Sequence, residues 1–339
     1  MNVALIFSIS LVVSAFLTTL VKRYGSKLGR IDIPNERSSH SVPTPRGGGI
    51  AVVTVTIAAL FGCYLKNLMD GRDAIAIAAG SLIVALVGYL DDRGTITAAR
   101  WRLIGHTLRA LIIVVGLRGL PALPVFGRAV DLGIVGSVLA VLYLMWLLNL
   151  FNFMDGIDGI TGTGTLVVAL CGAFLAWEAA PSSKLWIMPL ALAGAAAGFL
   201  FLNWSPAKIF LGDIGSGFIG IVMGALSLQA AHTVPRLGWC WVILMGVFIV
   251  DASVTLFRRL LRRERLYIAH RNHAYQHLAI KLNSHATVAA GVGAITLLWL
   301  LPIALAVERQ TIDGFAGVLI AYAPLVVAAI ALGAGRPDS

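Results

Sequence analysis

Eleven apolar runs, each about as long as a bilayer core is thick, dominate this sequence and leave it few ways to fold. They fall near 2–21, 47–66, 74–90, 103–118, 132–151, 160–178, 185–203, 215–231, 239–257, 286–306 and 314–333. A spanning helix needs roughly 17–25 predominantly apolar residues, and in lipid an isolated segment must satisfy its backbone polar groups internally. The expected fold is an all-α polytopic membrane protein, a bundle of about eleven transmembrane helices forming one domain over residues 1–339. Charged residues make up only 12% of the chain, against roughly 25% in an ordinary soluble domain. A soluble protein of this size could not cover its surface with so few. The first run has no basic segment before it and no small-x-small site after it, so it reads as a membrane helix rather than a signal peptide. Cys63, Cys171 and Cys240 lie inside apolar runs without pairing or metal spacing and read as reduced.

The basic residues choose an orientation. One set of connections, 22–46, 91–102, 152–159, 204–214, 258–285 and the C-terminal tail, carries 18 Lys and Arg, and the opposite set carries seven. The positive-inside rule places the first set in the cytoplasm, with the N-terminus outside and the C-terminus inside. The net charge of +10 is then explained by anionic membrane lipids as partners, with no nucleic acid required.

The acids gather on that same side. Asp91, Asp92, Asp155, Asp158 and Asp213 all sit at cytoplasmic ends of apolar runs, and the outer face shows no comparable group. A single aspartate is most often a cap or a turn residue. Five together near hydrocarbon are expensive, which points to a function and a counter-ion. GYLDDRG at 88–94 places two carboxylates side by side, one able to act as a base while the other is held charged. NLFNFMDGIDG at 149–159 spaces Asn149, Asn152 and Asp155 by three, near one helical face, before Asp-Gly pairs break the helix. NWSPAKIFLGDIGSG at 203–217 puts Asp213 in a glycine-flanked turn opening a helix, whose N–H groups suit phosphate oxygens. Oxygen ligands of this kind favour Mg²⁺, with Mn²⁺ as the alternative. His273 and His277 have a spacing that zinc accepts, but no HExxH pattern accompanies them.

Cations surround the acids. DIPNERSSHSVPTPRGGG at 32–49 carries Arg37, His40 and Arg46, and RRLLRRERLYIAHRNHAYQH fills 258–277. Arg258 to Arg265 are accounted for by topology, whereas Arg271, His273 and His277, with His270 and His285 nearby, suit a diphosphate. His106 and His232 stand alone and read as structural or surface residues. A metal, several acids, a glycine-rich cradle and cations at headgroup level fit phosphoryl transfer between a soluble nucleotide and a lipid phosphate. A secondary transporter is the competing class, because Asp251 lies within a span. A CDP-alcohol phosphotransferase is disfavoured, because Asp155-Gly156 continues as Ile157-Asp158 instead of its DGxxAR signature.

These motifs, in this order, resemble the polyprenyl-phosphate N-acetylhexosamine-1-phosphate transferases, the membrane family that includes MraY and WecA. The resemblance runs from about Asp32 to His277. It rests on PTPRGGG, LDD at 90–92, NxxNxxDGIDG, the N-x-x-P-A-x-x-F-x-G-D-x-G-S pattern from Asn203, Asp251 followed by paired arginines, and R-x-H…H at 271–277. It implies a cytoplasm-facing active site in a bacterial inner membrane. There a UDP-N-acetylamino sugar donates its sugar 1-phosphate to undecaprenyl phosphate and leaves UMP. By the same resemblance Asp213 holds Mg²⁺, Asp91 deprotonates the lipid phosphate with Asp92 in support, and Asn152 and Asp155 line the catalytic centre. Asp158 and Phe210 lie near the uridine, Asn203 beside metal and phosphates, and Arg46, Arg271, His273 and His277 near the diphosphate. The chain reads HAYQH where the family reads HHH or HIHH. Together with RSSHSVPTPRGGG, this looks nearest to the WbpL-like branch that starts O-antigen chains on N-acetylated 6-deoxyhexosamines. A homodimer is compatible with the resemblance.

Overall fold

The computed structural model describes residues 3–28, 31–32, 42–93, 99–264 and 271–336, apart from the side chains of 25–28, 99–104 and 106. Arg37, His40, Arg265, His270 and the side chain of His106 lie outside them. The described chain is almost wholly helical. In order come α1 (Val3–Leu28), α2 (Gly49–Leu65), α3 (Gly71–Asp92), α4 (Ala99–Gly116), α5 (Gly133–Met154), α6 (Ile160–Ala179) and α7 (Ile187–Asn203). Then follow α8 (Asp213–Thr233), α9 (Pro235–Leu244), α10 (Gly246–Leu261), α11 (Ala274–Leu282), α12 (His285–Ile295), α13 (Leu301–Glu308) and α14 (Gly314–Ala331). Two short antiparallel pairings complete the elements: β1 (Ile31–Asp32) with β2 (Thr44–Pro45), and β3 (Leu123–Val125) with β4 (Arg128–Val130).

Among the described residues seven helical stretches are long and apolar enough to cross a membrane, and α9 with α10 forms an eighth that bends by 65°. This is a multi-pass membrane protein. The remaining apolar runs are shorter helices, Gly49–Leu65, Thr107–Gly116 and Ile187–Asn203. Seventeen residues at 1.5 Å each reach only about 25 Å, short of a ~30 Å core. By length, then, the structure supports seven or eight spans where the apolar runs suggest eleven.

Helix α8 is the axis of the bundle, and every residue from Ile214 to Ala231 is buried. Its neighbours come close because glycines line the contacts, as expected where packing rather than hydrophobicity joins helices in lipid. A Cβ on Gly88 of α3 would lie 2.5 Å from the Asp213 carbonyl oxygen, and one on Gly220 2.5 Å from that of Leu147 in α5. Gly49 opens α2 directly against Gly215, where a Cβ would come within 2.4 Å of its Cα. On α7, Gly194 and Gly198 receive α1, whose Ser14 hydroxyl donates to the Ala195 carbonyl at 2.7 Å.

The helices alternate in direction, so their connections collect at two ends. One end holds 66–70, 117–132, 180–186 and 309–313. Here Arg118 pairs with Asp70 and Asp73 at 3.3 and 3.2 Å, Arg236 with Glu308 at 3.2 Å, and Arg309 with Glu178 at 2.7 Å. Asp313 accepts the amides of Phe126, Phe315 and Ala316, and Asp131 that of Gly133. This corrects one sequence expectation. This end carries as many acids as the cluster at the other end, and each of them accepts a hydrogen bond or an ion pair.

Candidate active site

At the opposite end, three connections are stitched together by their backbones. The PRGGG segment runs beside 209–211: the amide of Phe210 donates to Pro45, those of Gly47 and Gly48 to Phe210, and that of Gly49 to Leu211. Gly48 is required for this approach, since a Cβ there would sit 2.4 Å from the Phe199 ring. Asn203, buried at the end of α7, uses both ends of its amide. It accepts from Gly159 at 3.1 Å and donates to the Ile209 carbonyl at 3.0 Å. It therefore ties the Asp-Gly turns to the loop that leads into α8. Gly159 adopts a left-handed φ of +76° as α6 begins.

Asp92 ends α3 and reaches across to the start of α8. Its carboxylate accepts the amides of Asp213 at 3.0 Å and Ile214 at 3.1 Å. The helix N-terminus expected to meet phosphate oxygens thus has its first two donors committed to Asp92, an N-cap supplied from another helix. Gly212 makes room for it, because a Cβ there would stand 2.7 Å from the Asp92 carboxylate. Arg46 bonds to Asp32 at 3.0–3.1 Å and lies 3.9 Å from Asp92. Burial pulls the Arg46 pKa down, but Asp32, Asp213, Asp92 and Asp155 more than offset this and hold it above the ordinary guanidinium value.

Asp155 caps the end of α5, half-buried, within electrostatic range of Arg46, Asp213 and Asp92. Burial pushes its pKa up to about 7; the Thr161 hydroxyl and Arg46 oppose this and the other two acids add to it. Asp91 is half-buried beside Asp92, and Asn152 is exposed on the last turn of α5. The structure therefore gathers Asp92, Asp155 and Asp213, with Asp32, around Arg46, and Asp91 adjoins Asp92 at the end of α3.

A cleft of about 690 Å³ opens beside this cluster, lined among others by Asp158, Ala207, Phe210, Arg271, Gln276 and His285. The Asp158 carboxylate accepts the Ala207 amide at 3.1 Å and meets His285 Nδ1 at 3.4 Å. Burial raises the Asp158 pKa, yet the bonds from His285, Ala207 and Ser205 leave it below the usual carboxylate value. Of the sequence-predicted residues, Asp158, Phe210 and Arg271 share this cleft. His285 and Gln276 join them without having been singled out for it; the only sequence signal was His285 as one histidine among several.

His273 and His277 are placed differently. His273 is 2% exposed, with Nδ1 3.2 Å from Asp251 and its ring stacked near Phe153. Asp251 also accepts the amides of Ala274 and Tyr275 at 3.1 and 2.9 Å and the Thr255 hydroxyl at 3.2 Å. The intramembrane acid that a transporter would use is thus committed to opening α11. Tyr275 in turn donates to the Phe153 carbonyl at 2.9 Å and presses on Gly156, where a Cβ would come within 2.1 Å of its hydroxyl. The His277 ring lies beside Gly333 near the C-terminus, with Nε2 buried and unbonded among the described residues.

The donor set suits a hard cation. Three mutually repelling carboxylates share one arginine, and the Ser216 hydroxyl nearby in sequence is buried without a hydrogen-bond partner among the described residues. No three His, Cys, Asp or Glu among the described residues form a ready-made ligand cage.

The model of glycosyl transferase family 4 matches residues 74–231, which hold the Asp91–Asp92, Asp155–Asp158 and Asp213 segments. The chain is 31% identical to the Bacillus subtilis protein named probable undecaprenyl-phosphate N-acetylglucosaminyl 1-phosphate transferase. That match runs over 284 residues, covering 82% of this chain and 77% of the relative. It is 29% identical over 258 residues to decaprenyl-phosphate N-acetylglucosaminephosphotransferase of Mycolicibacterium smegmatis, covering 69% of this chain and 62% of that one. A phospho-N-acetylmuramoyl-pentapeptide-transferase of Halalkalibacterium halodurans is 25% identical over 268 residues, covering 74% and 79%. With its acids and glycines converging at one end of an all-helical membrane bundle, this chain belongs to glycosyl transferase family 4, the polyprenyl-phosphate sugar-1-phosphate transferases.

Proposed function

We infer that this protein transfers an N-acetylamino-sugar 1-phosphate from a UDP-sugar to undecaprenyl phosphate, releasing UMP. The reaction would be the first membrane step of an O-antigen or other cell-envelope polysaccharide, on the cytoplasmic face of a bacterial inner membrane. The observation that carries this reading is the convergence of Asp92, Asp155 and Asp213 around Arg46, with Asp91 next to Asp92, beside a cleft holding Phe210, Asp158 and Arg271. The names of the relatives, which pair a polyprenyl phosphate with an N-acetylated sugar, support it.

Asp213, with Asp155 beside it, would hold Mg²⁺ or Mn²⁺, which when bound supplies positive charge to the diphosphate oxygens. Asp91, at the membrane end of α3, takes the proton of undecaprenyl phosphate, and the freed oxygen attacks the β-phosphorus of the donor. Asp92 fixes the start of α8 so that Asp213 stays in place. Arg46 and Arg271 neutralise charge as it moves onto UMP. Phe210 offers a face for the base, and Asp158 with His285 lines the same cleft. His273 and Asn203 act by holding the loops that carry these groups.

The test is UMP release by purified protein in detergent with undecaprenyl phosphate, Mg²⁺ and a panel of UDP-N-acetylhexosamines, including 6-deoxy sugars. Lipid- and metal-dependent UMP from one donor is the expected result and names the sugar. Folded protein that releases no UMP from any donor would remove the reading.

A further inference from the structure

Beyond the last helix the chain reads Leu332-Gly-Ala-Gly-Arg336, outside the segment matched by the family model. Such a tail would ordinarily be solvated. Instead Gly333, Ala334 and Gly335 are buried, and Ala334 packs with Val250, Ala329 and Ala274, the first residue of α11. Gly333 and Gly335 take left-handed φ values of +88° and +71°. A Cβ on Gly335 would stand 2.9 Å from the Thr255 carbonyl oxygen, so glycine is needed on both counts. Arg258 donates to the Ala334 carbonyl at 2.6 Å, and Arg262 to that of Gly335. These arginines, attributed to topology in the sequence, serve the chain's own carbonyl groups.

The tail also reaches the cleft-lining loop. The Gly335 amide donates to the Asn272 carbonyl at 2.6 Å. Asn272 lies between Arg271, which lines the cleft, and His273, which Asp251 holds. The loop is therefore gripped from two sides, by Asp251 through the amides of Ala274 and Tyr275 and by the tail through Asn272.

We propose that the C-terminal segment 333–336, clamped by Arg258 and Arg262, is a positioning element of the active site that fixes the backbone of 271–273 and so aims Arg271 at the nucleotide-sugar diphosphate. The proposal rests on the transferase reading for its substrate. An error of about 1 Å in a substrate-orienting group can cost up to ~100-fold.

The experiment compares the intact protein with a chain ending at Leu332 and with the full-length variants Gly335→Ala, Arg258→Gln and Arg258→Lys. Expected is a rise of about tenfold or more in KM for the UDP-sugar, with KM for undecaprenyl phosphate within twofold and Arg258→Lys partly restored. Amide hydrogen exchange should quicken at 272–276 and stay unchanged in α5 and α8. Wild-type KM values and wild-type protection at 272–276 would overturn the proposal, as would a lowered melting temperature with unaltered KM. If the truncated chain does not fold, the full-length variants decide. If intact protein turns over no donor, the transferase reading fails on its own, and the exchange comparison still decides whether the tail holds the loop.

Discussion

The two ends of this bundle hold similar numbers of carboxylates and use them in opposite ways. At the end that holds 66–70, Asp70 accepts the amides of Arg72 and Asp73 and faces Arg118, and its pKa is held below the ordinary value by those backbone bonds first and by the arginine after them. At the opposite end Asp155 is half-buried within electrostatic range of Asp92 and Asp213, with Arg46 and the Thr161 hydroxyl opposing, and burial first and those two acids after it push its pKa up to about 7. The first arrangement satisfies charge and holds the fold together. The second leaves charge unsatisfied, at a cost in stability that structure alone would not require. Acids kept in excess of their partners are the physical mark of a site built to receive positive charge.

The largest expected difference between the ends lies in activity. Asp213→Ala should lower turnover by about 10²–10³-fold, the scale for losing one fixed electrostatic contact to the transition state. Its melting temperature without metal should hold or rise, because one repelling carboxylate is gone. Near-wild-type turnover at saturating Mg²⁺ would break the metal assignment. Glu308→Ala, at the other end, should do the reverse. Its side chain is 7% exposed against Arg236, and removing it leaves that arginine without its acid, a loss of about 3 kcal/mol on the scale for breaking buried pairs. Turnover per folded molecule should not change. If denaturation curves show Glu308→Ala near neutral while kcat falls, the division between the two ends is wrong.

How far this contrast was legible in the sequence follows from the range of the interactions involved. Apolar runs and Lys/Arg counts are properties of the chain itself, and they gave the helical bundle and the grouping of Asp91, Asp155, Asp158 and Asp213 at one end. The partners of the acids at the other end were not legible, because Asp70 and Asp73 find Arg118 across 45 to 48 residues and Glu308 finds Arg236 across 72. No local pattern announces such pairings. The same holds for Asp92, whose two hydrogen bonds span more than a hundred residues. Spacing also could not show that His273 Nδ1 meets Asp251, 22 residues away in the chain. Gly156 was read as a turn residue and Gly88 and Gly220 drew no reading, yet all three are needed for close approach of another element, which depends on what lies opposite.

Asp92 sharpens the contrast, since it belongs to the acidic cluster but is bonded like the acids of the opposite end. Asp92→Ala should lose the cap on α8, about 1–2 kcal/mol of stability, and should also lower kcat because Asp213 sits on the turn it holds. Asp92→Asn keeps one acceptor oxygen and should recover a good part of both. The measurement is a pair of denaturation curves beside kcat. If the asparagine variant is as inactive as the alanine variant while regaining stability, Asp92 acts in the chemistry through its charge and not as a cap.

The smallest effect separates the ends by pH. A carboxyl whose pKa is near 7 in the folded protein and about 4 when unfolded keeps its proton longer in the folded state. Between those values the folded state binds more protons, so stability falls as pH rises from about 4 to 7 and stays low above that. Asp155 should therefore make the metal-free protein melt at a lower temperature at pH 8 than at pH 5.5, and Asp155→Asn should flatten that slope. Asp70 has the opposite sign. Its depressed pKa adds stability above about pH 4 that disappears as pH falls through its folded value, so Asp70→Asn should matter only in acid. Added Mg²⁺ should raise the melting temperature of the wild type more at pH 8 than at pH 5.5, because the cation competes with protons for the same carboxylates. A Mg²⁺ effect equal at the two pH values, or one that survives in the Asp155→Asn, Asp213→Ala double variant, would place the bound cation away from this cluster.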